Sequence, residues 1–238
     1  MKRVKGFTLA EILITLGIIG VVAALTAPAL IQNAGNAKIG PTLAKVKTTI
    51  ENANEMMLLD NTASNLYAVA NNTPAYMEML SEYISGSSYN STAGGGVYNS
   101  YYYGGSNFGG IGSCYNFNFS DTVTMWLGTR TDSDTIAPLT HYSANGSFKG
   151  LYLTMAVDIN GLTGPNTLGK DLFIFAVDYG GSVIPAGSRT HKWLSGDSYY
   201  WDPTTSDQYG YGCNEDGVNY GFGCAGSIFD NNLKVIYQ

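Results

Sequence analysis

The chain has 238 residues, of which only 13% are charged, alongside 30 glycines and 18 tyrosines. Its net charge of −6 argues against nucleic acid as a partner, because phosphate binding needs a basic face. Charged residues usually make up about 25% of a globular domain, so this composition favours loops and short strands with aromatic packing over a helical bundle.

Residues 1–6 carry Lys2, Arg3 and Lys5. Cations ahead of an apolar span hold that end in the cytoplasm. Residues 7–31 follow as a run of 25 with a single charge, Glu11, and no charged residue occurs from Ile12 to Ala37. As a helix this run measures about 37 Å at ~1.5 Å per residue, enough to cross a ~30 Å hydrocarbon core. A secretory signal peptide is the competing reading, since Ala27-Pro28-Ala29 fits a small-x-small cleavage site. Against it, the apolar region exceeds the usual ~7–15 residues and encloses an acid.

A carboxylate in the apolar phase costs about 2.5–3.5 kcal/mol on insertion scales. So near the end of the run, Glu11 can snorkel to the interface. It can also receive a cation: cleavage ahead of Phe7 would create an α-amine able to pair with Glu11 of a neighbouring helix. Pro28 should kink the helix, because it removes a donor and clashes one turn back. Gly17 and Gly20 thin one side and permit close helix approach. Beyond the membrane, Ile39, Leu43, Val46, Ile50, Ala53 and Met57 recur at helical steps and predict one buried stripe. Gly35, Gly40 and Pro41 predict a bend or melted turn around 33–41, giving one long interrupted helix over about 7–60.

Thr73 as cap and Pro74 in the first turn predict a short helix to about Ile84. Residues 86–112 are rich in Gly, Ser, Asn and Tyr without period. They read as a long surface loop, either covering the core with its tyrosines or presenting an aromatic patch to sugars or other subunits. Strands are expected over 122–127, 151–157, 172–177, 182–184 and 233–237, the third and fourth forming a hairpin through Gly180-Gly181. Residues 186–212 are mostly turn-like, with Trp193 and Trp201 as anchors. The predicted class is α+β: a long N-terminal helix, membrane-spanning in its first half, packed on a globular head with an antiparallel sheet. Its parts are a leader at 1–6, a transmembrane helix at 7–32, an amphipathic continuation at 33–60 and a head at 61–238.

No nucleophile, zinc or phosphate-loop motif surrounds His141 or His191, so the chain is predicted not to be an enzyme. Cys213 and Cys224 have no zinc spacing and no nearby histidine; a disulfide, in an oxidising compartment, is the better reading. Cys114 is then a buried thiol or an exchange partner. Asp158, Asn160, Asn166 and Asp171 are oxygen donors on a turn-rich loop between two strands. They fit either a calcium ion, which takes six to eight oxygens, or a tight Asn-Gly turn whose side chains bond the backbone.

Lys5-Gly6 followed by Phe7-Thr8-Leu9-Ala10-Glu11 resembles the prepilin-type processing site of type IV pilins and type II secretion pseudopilins. The resemblance covers about 30 residues, including Pro28 where such helices bend. It implies that a prepilin peptidase cuts between Gly6 and Phe7 and methylates Phe7. Removing Lys2, Arg3 and Lys5 lowers the bases from 12 to 9 against 18 acids, for a mature charge of −9. It further implies a single-pass protein of the bacterial inner membrane, N-terminus cytoplasmic and head periplasmic or extracellular. An assembly platform and its ATPase then build it into a pilus or pseudopilus with other subunits. Glu11 would neutralise the Phe7 amine of the adjacent subunit. The Cys213–Cys224 block also resembles the disulfide loop of many pilin heads. Some pseudopilin heads bind calcium, but their ligand pattern does not align with this loop. Between 60 and 210 no known head matches residue by residue, so a membrane-anchored or pilus-tip adhesion protein with an aromatic-rich head is the alternative.

Overall fold

The computed structural model describes residues 6–92, 97–98, 110–111, 114–119, 122–128, 148–149, 151–161, 163–164, 166–187, 193–195, 198–201, 213, 221 and 223–235. The chain forms two compact units, residues 1–38 and 39–238, each described by itself.

Helix α1 (Leu9–Asp60) is 52 residues long. From Ile12 to Ile31 it carries no charge and is apolar on nearly all sides, the composition of a membrane span. Over Leu9–Pro28 the mean hydropathy is 2.3, and none of that stretch is buried by the rest of the chain. Leu13, Ile14, Leu16, Ile18 and Ile19 are all exposed. The hydroxyls within this stretch turn back onto the backbone: Thr15 Oγ1 donates to the carbonyls of Glu11 and Ile12, and Thr26 Oγ1 to that of Val22, each at 2.9 Å. A hydroxyl bonded this way need not find water inside an apolar phase.

The melted turn offered as one possibility around 33–41 is not formed. Gly35, Gly40 and Pro41 are all helical. A proline removes one backbone bond, while burial of Ile39 and Leu43 holds the helix on either side of it. Gly40 has a packing role instead: a Cβ there would overlap the carbonyl oxygen of Leu233.

In the second unit, Ile39, Leu43, Val46, Ile50, Ala53 and Met57 are all buried. Helix α2 (Leu66–Val69) is capped by Asn65, and α3 (Thr73–Tyr83) by Asn72, whose side chain accepts from Ala75 N. Thr73, expected as the cap, sits one residue inside, and its Oγ1 donates to the Gly128 carbonyl at 2.9 Å. The strands are β1 (Ser88–Asn90), β2 (Val97–Tyr98), β3 (Gly110–Ile111), β4 (Tyr115–Asn118), β5 (Thr124–Leu127), β6 (Phe148–Lys149), β7 (Leu151–Asp158), β8 (Leu172–Asp178), β9 (Val183–Pro185), β10 (Trp193–Ser195) and β11 (Ser198–Trp201). Short strands therefore occupy parts of 186–212, where turns were expected.

Six strands form one antiparallel sheet in the order β1-β4-β5-β7-β8-β9. Phe117, Met125, Leu127, Leu153, Met155, Val157, Phe173, Phe175 and Val177 point from this sheet into a core shared with the α1 stripe and with Tyr76, Met77 and Leu80 of α3. The opposite face is buried too: Trp126, Thr154, Ala156 and Ile174 are all covered. Helix α4 (Cys224–Asp230) packs on β8 and β9. The strand expected at 233–237 is not formed by Leu233, Lys234 or Val235. Asn232 and Leu233 adopt φ of 55° and 64°, and Leu233 N returns to the Ile228 carbonyl at 2.9 Å, which closes α4 instead of extending the chain. Residues 236–238 lie outside the described set.

Candidate functional site

Two segments carry chemistry. The first is the start of α1. Gly6 is exposed, with open space where a Cβ would lie, so packing does not require a glycine there. Phe7 follows, 83% exposed. Thr8 and Glu11 then form a capping box, the reciprocal arrangement that satisfies orphan donors at a helix start. Glu11 Oε2 accepts from Thr8 N at 2.7 Å and from Thr8 Oγ1 at 2.8 Å, and Glu11 N donates back to Thr8 Oγ1 at 3.3 Å. A carboxylate in the first turn also lies at the positive end of the helix dipole. The sequence reading named Glu11 and missed Thr8, although the Thr-x-x-Glu spacing is itself a helix-start signature. Pro28 lies inside α1 and is exposed. Lys2, Arg3 and Lys5 lie outside the described residues.

The second segment is the loop from β7 to β8. Asp158, the last residue of β7, pairs in register with Thr124 on one side and Leu172 on the other, so its side chain is fully buried. Its Oδ1 accepts from Asn160 N at 3.1 Å, and the Gly161 amide also bonds it. Gly161 has φ of +69°, and a Cβ there would fall 2.6 Å from the Thr122 carbonyl oxygen, so the turn needs glycine on both counts. Asn160 Nδ2 donates to Asp171 Oδ2 at 3.2 Å. Asp171 Oδ1 accepts from the amide of Thr167, the residue after Asn166. Ile159 N reaches the Asp171 carbonyl at 2.9 Å and pins the two ends of the loop together.

The four oxygen donors expected from the sequence thus lie along one linked loop. Three of their oxygens, Asp158 Oδ2, Asn160 Oδ1 and Asn166 Oδ1, are buried and meet no donor. Burial pushes the Asp158 carboxyl up to about 7; the Asp171 charge adds to this, and the Asn160 and Gly161 amides oppose it. Burial also raises Asp171, against the donors Thr167 N and Asn160 Nδ2. Among the described residues, no cluster of three or more His, Cys, Asp or Glu occurs; this loop offers two carboxylates and two amides.

Cys213 and Cys224 are joined as a disulfide. Cys114 is a buried thiol. His141 and His191 lie outside the described residues, as does most of the Tyr- and Gly-rich segment 86–112.

Residues 1–27 match the family model described as the prokaryotic N-terminal methylation motif. The chain therefore carries the prepilin signature of type IV pilins and pseudopilins, on a pilin-like α+β fold with a long apolar N-terminal helix. Comparison with curated proteins and with solved structures returns no match.

Proposed function

We propose that the chain is a structural subunit of a type IV pilus or of a type II secretion pseudopilus. A prepilin peptidase cuts it between Gly6 and Phe7 and methylates Phe7. The subunit waits in the inner membrane, head outward, until an assembly platform draws it into a filament with other subunits. The observation that carries this reading is Glu11: a carboxylate in the first turn of a membrane-length apolar helix, four residues after Phe7 of a Gly-Phe junction within the methylation motif.

The two Thr8 bonds to Glu11 support a role before assembly, because they partly satisfy a charge that would be expensive in lipid. Both are made to Oε2, which leaves Oε1 able to meet the Phe7 amine of an adjacent subunit. Such a charge-assisted bond is stronger than a neutral one, and it sets the axial register between helices. Pro28 relaxes the helix lower down by withholding one backbone donor.

Mass spectrometry of the mature N-terminus tests the processing step. The expected product begins at methylated Phe7; an intact Met1 end or a start near Leu30 would overturn the reading. Glu11→Ala should be processed normally and fail to assemble, whereas unchanged filament yield would remove the pairing role. Deleting the gene separates the two filament types: loss of surface fibres marks a pilus subunit, and loss of exported proteins marks a pseudopilus subunit.

A further inference from the structure

We infer that a groove at the C-terminal end of α1 receives Lys234 of a second copy of this chain, an inference that rests on the filament reading above. The groove, about 460 Å³, lies between the last turns of α1 and the β8–β9 turn, and Glu51, Glu55, Leu58, Leu59 and Ala63 form its helical side. Its two acids differ. Glu51 is committed: it pairs with Lys47 and accepts from Val183 N at 3.0 Å. Glu55 is exposed and makes no side-chain bond among the described residues. Beside it Leu59 is 69% exposed, and Leu58 and Ala63 are half-buried. An apolar wall that ends in a carboxylate fits a long cationic side chain, which lays its methylenes on the apolar surface and carries its charge beyond it.

The complement lies on the same side of the helix, about five turns lower. At about 3.6 residues per turn, Leu58 stands directly above Gly40. There that side of α1 is covered by Leu233, whose carbonyl oxygen leaves no room for a Cβ on Gly40. The next residue, Lys234, is exposed and makes no side-chain bond among the described residues. The head thus carries an open base low on α1 and an open acid high on it. At ~1.5 Å per residue, Gly40 and Glu55 are about 22 Å apart along the axis, so Lys234 cannot reach Glu55 of its own chain. Copies shifted by that distance bring the two together. A contact between unlike patches is heterologous: each pair keeps one unused patch at either end, and the association continues as an open helical array. A single exposed ion pair is weak, so its role is to select the axial shift, and its effect is multiplied because every subunit repeats it.

Carbodiimide cross-linking of filaments sheared from cells, read by mass spectrometry, tests the contact. The reagent activates a carboxylate, a lysine amine in contact condenses with it, and the amide forms with loss of water. The expected link joins Glu55 to Lys234, and the Lys47–Glu51 pair within one chain is the internal control. Glu55→Lys and Lys234→Glu should each lower filament yield at least threefold, with N-terminal processing and melting unchanged because both positions are exposed. The double exchange should restore at least half of the parent yield, and Glu78→Lys, an exposed acid outside the groove, should leave yield unaltered. Should either reversal fail to fold, Glu55→Gln and Lys234→Gln remove only the charge; each should abolish the link and lower yield to a smaller extent. Normal yield in both reversals, a double exchange no better than the worse single, or the control link without the Glu55–Lys234 link would overturn the contact. A parent chain that neither starts at methylated Phe7 nor assembles overturns the proposed function and this contact with it. A processed, assembled parent without the link overturns the contact alone.

Discussion

Asn54 illustrates how a single polar side chain can join three elements. It is completely buried in α1. Its Nδ2 donates to the Gly181 carbonyl at 2.8 Å, in the turn between β8 and β9, and its Oδ1 accepts from Tyr76 Oη of α3, also at 2.8 Å. Asn54→Ala strands both partners, so chemical unfolding should show a loss of about 1–3 kcal/mol for each. Tyr76→Phe strands only the Asn54 oxygen and should lose less. Cys114 makes a different prediction. Burial pushes its thiol from 9.0 up to about 11, so alkylating reagents should fail to modify it at neutral pH until the chain is unfolded. The unfolded chain releases this proton first as pH rises, so its contribution to stability is present below about pH 9 and is lost as pH climbs through about 11. A melting temperature that rose across that interval would contradict the burial.

At the scale of elements, Gly40 sets two effects against each other. Glycine to alanine in a helix interior normally stabilises by about 1 kcal/mol. Here the new Cβ would overlap the Leu233 carbonyl oxygen, a backbone atom in the turn that closes α4, and one of the two elements must shift. Sterics should win, and thermal melting of Gly40→Ala should show destabilisation. Leu43→Ala, in the fully buried stripe of the same helix, should lose about 2–5 kcal/mol. The stripe was legible in the sequence because its period is local: six residues at helical steps, all buried. Strands β7 and β8 were legible as apolar runs. Strand β4 was not, because Tyr115-Asn116-Phe117-Asn118 reads as polar until Phe117 is seen in the core. Helix α4 was hidden by its glycine and short length. The contact of Gly40 with Leu233 spans nearly the whole head, and no local pattern could reveal it. The β7–β8 loop falls between these cases: its four oxygen donors were readable as residue types, but the burial that orphans three of their oxygens depends on the neighbouring strands.

Across the whole molecule, the Cys213–Cys224 disulfide ties α4, and through it the α1 contact, to the preceding chain. It closes a short loop, with a sequence separation of 11, for which the chain-entropy model gives about 2–3 kcal/mol. Reduction should lower the melting temperature accordingly. The first unit should be indifferent to reduction, and protease protection of residues 9–28 by lipid should persist.

The main sheet also ends quietly on both sides. Its edge strands, β1 and β9, are three residues each, and β9 closes on Pro185, which has no amide to offer. Short strands and proline are the features by which proteins avoid edge-to-edge aggregation. A long, flat edge would otherwise invite strand addition by a second copy and the risk of irreversible cross-β fibre. With both edges this short, the main sheet offers little backbone on which a second copy could add a strand.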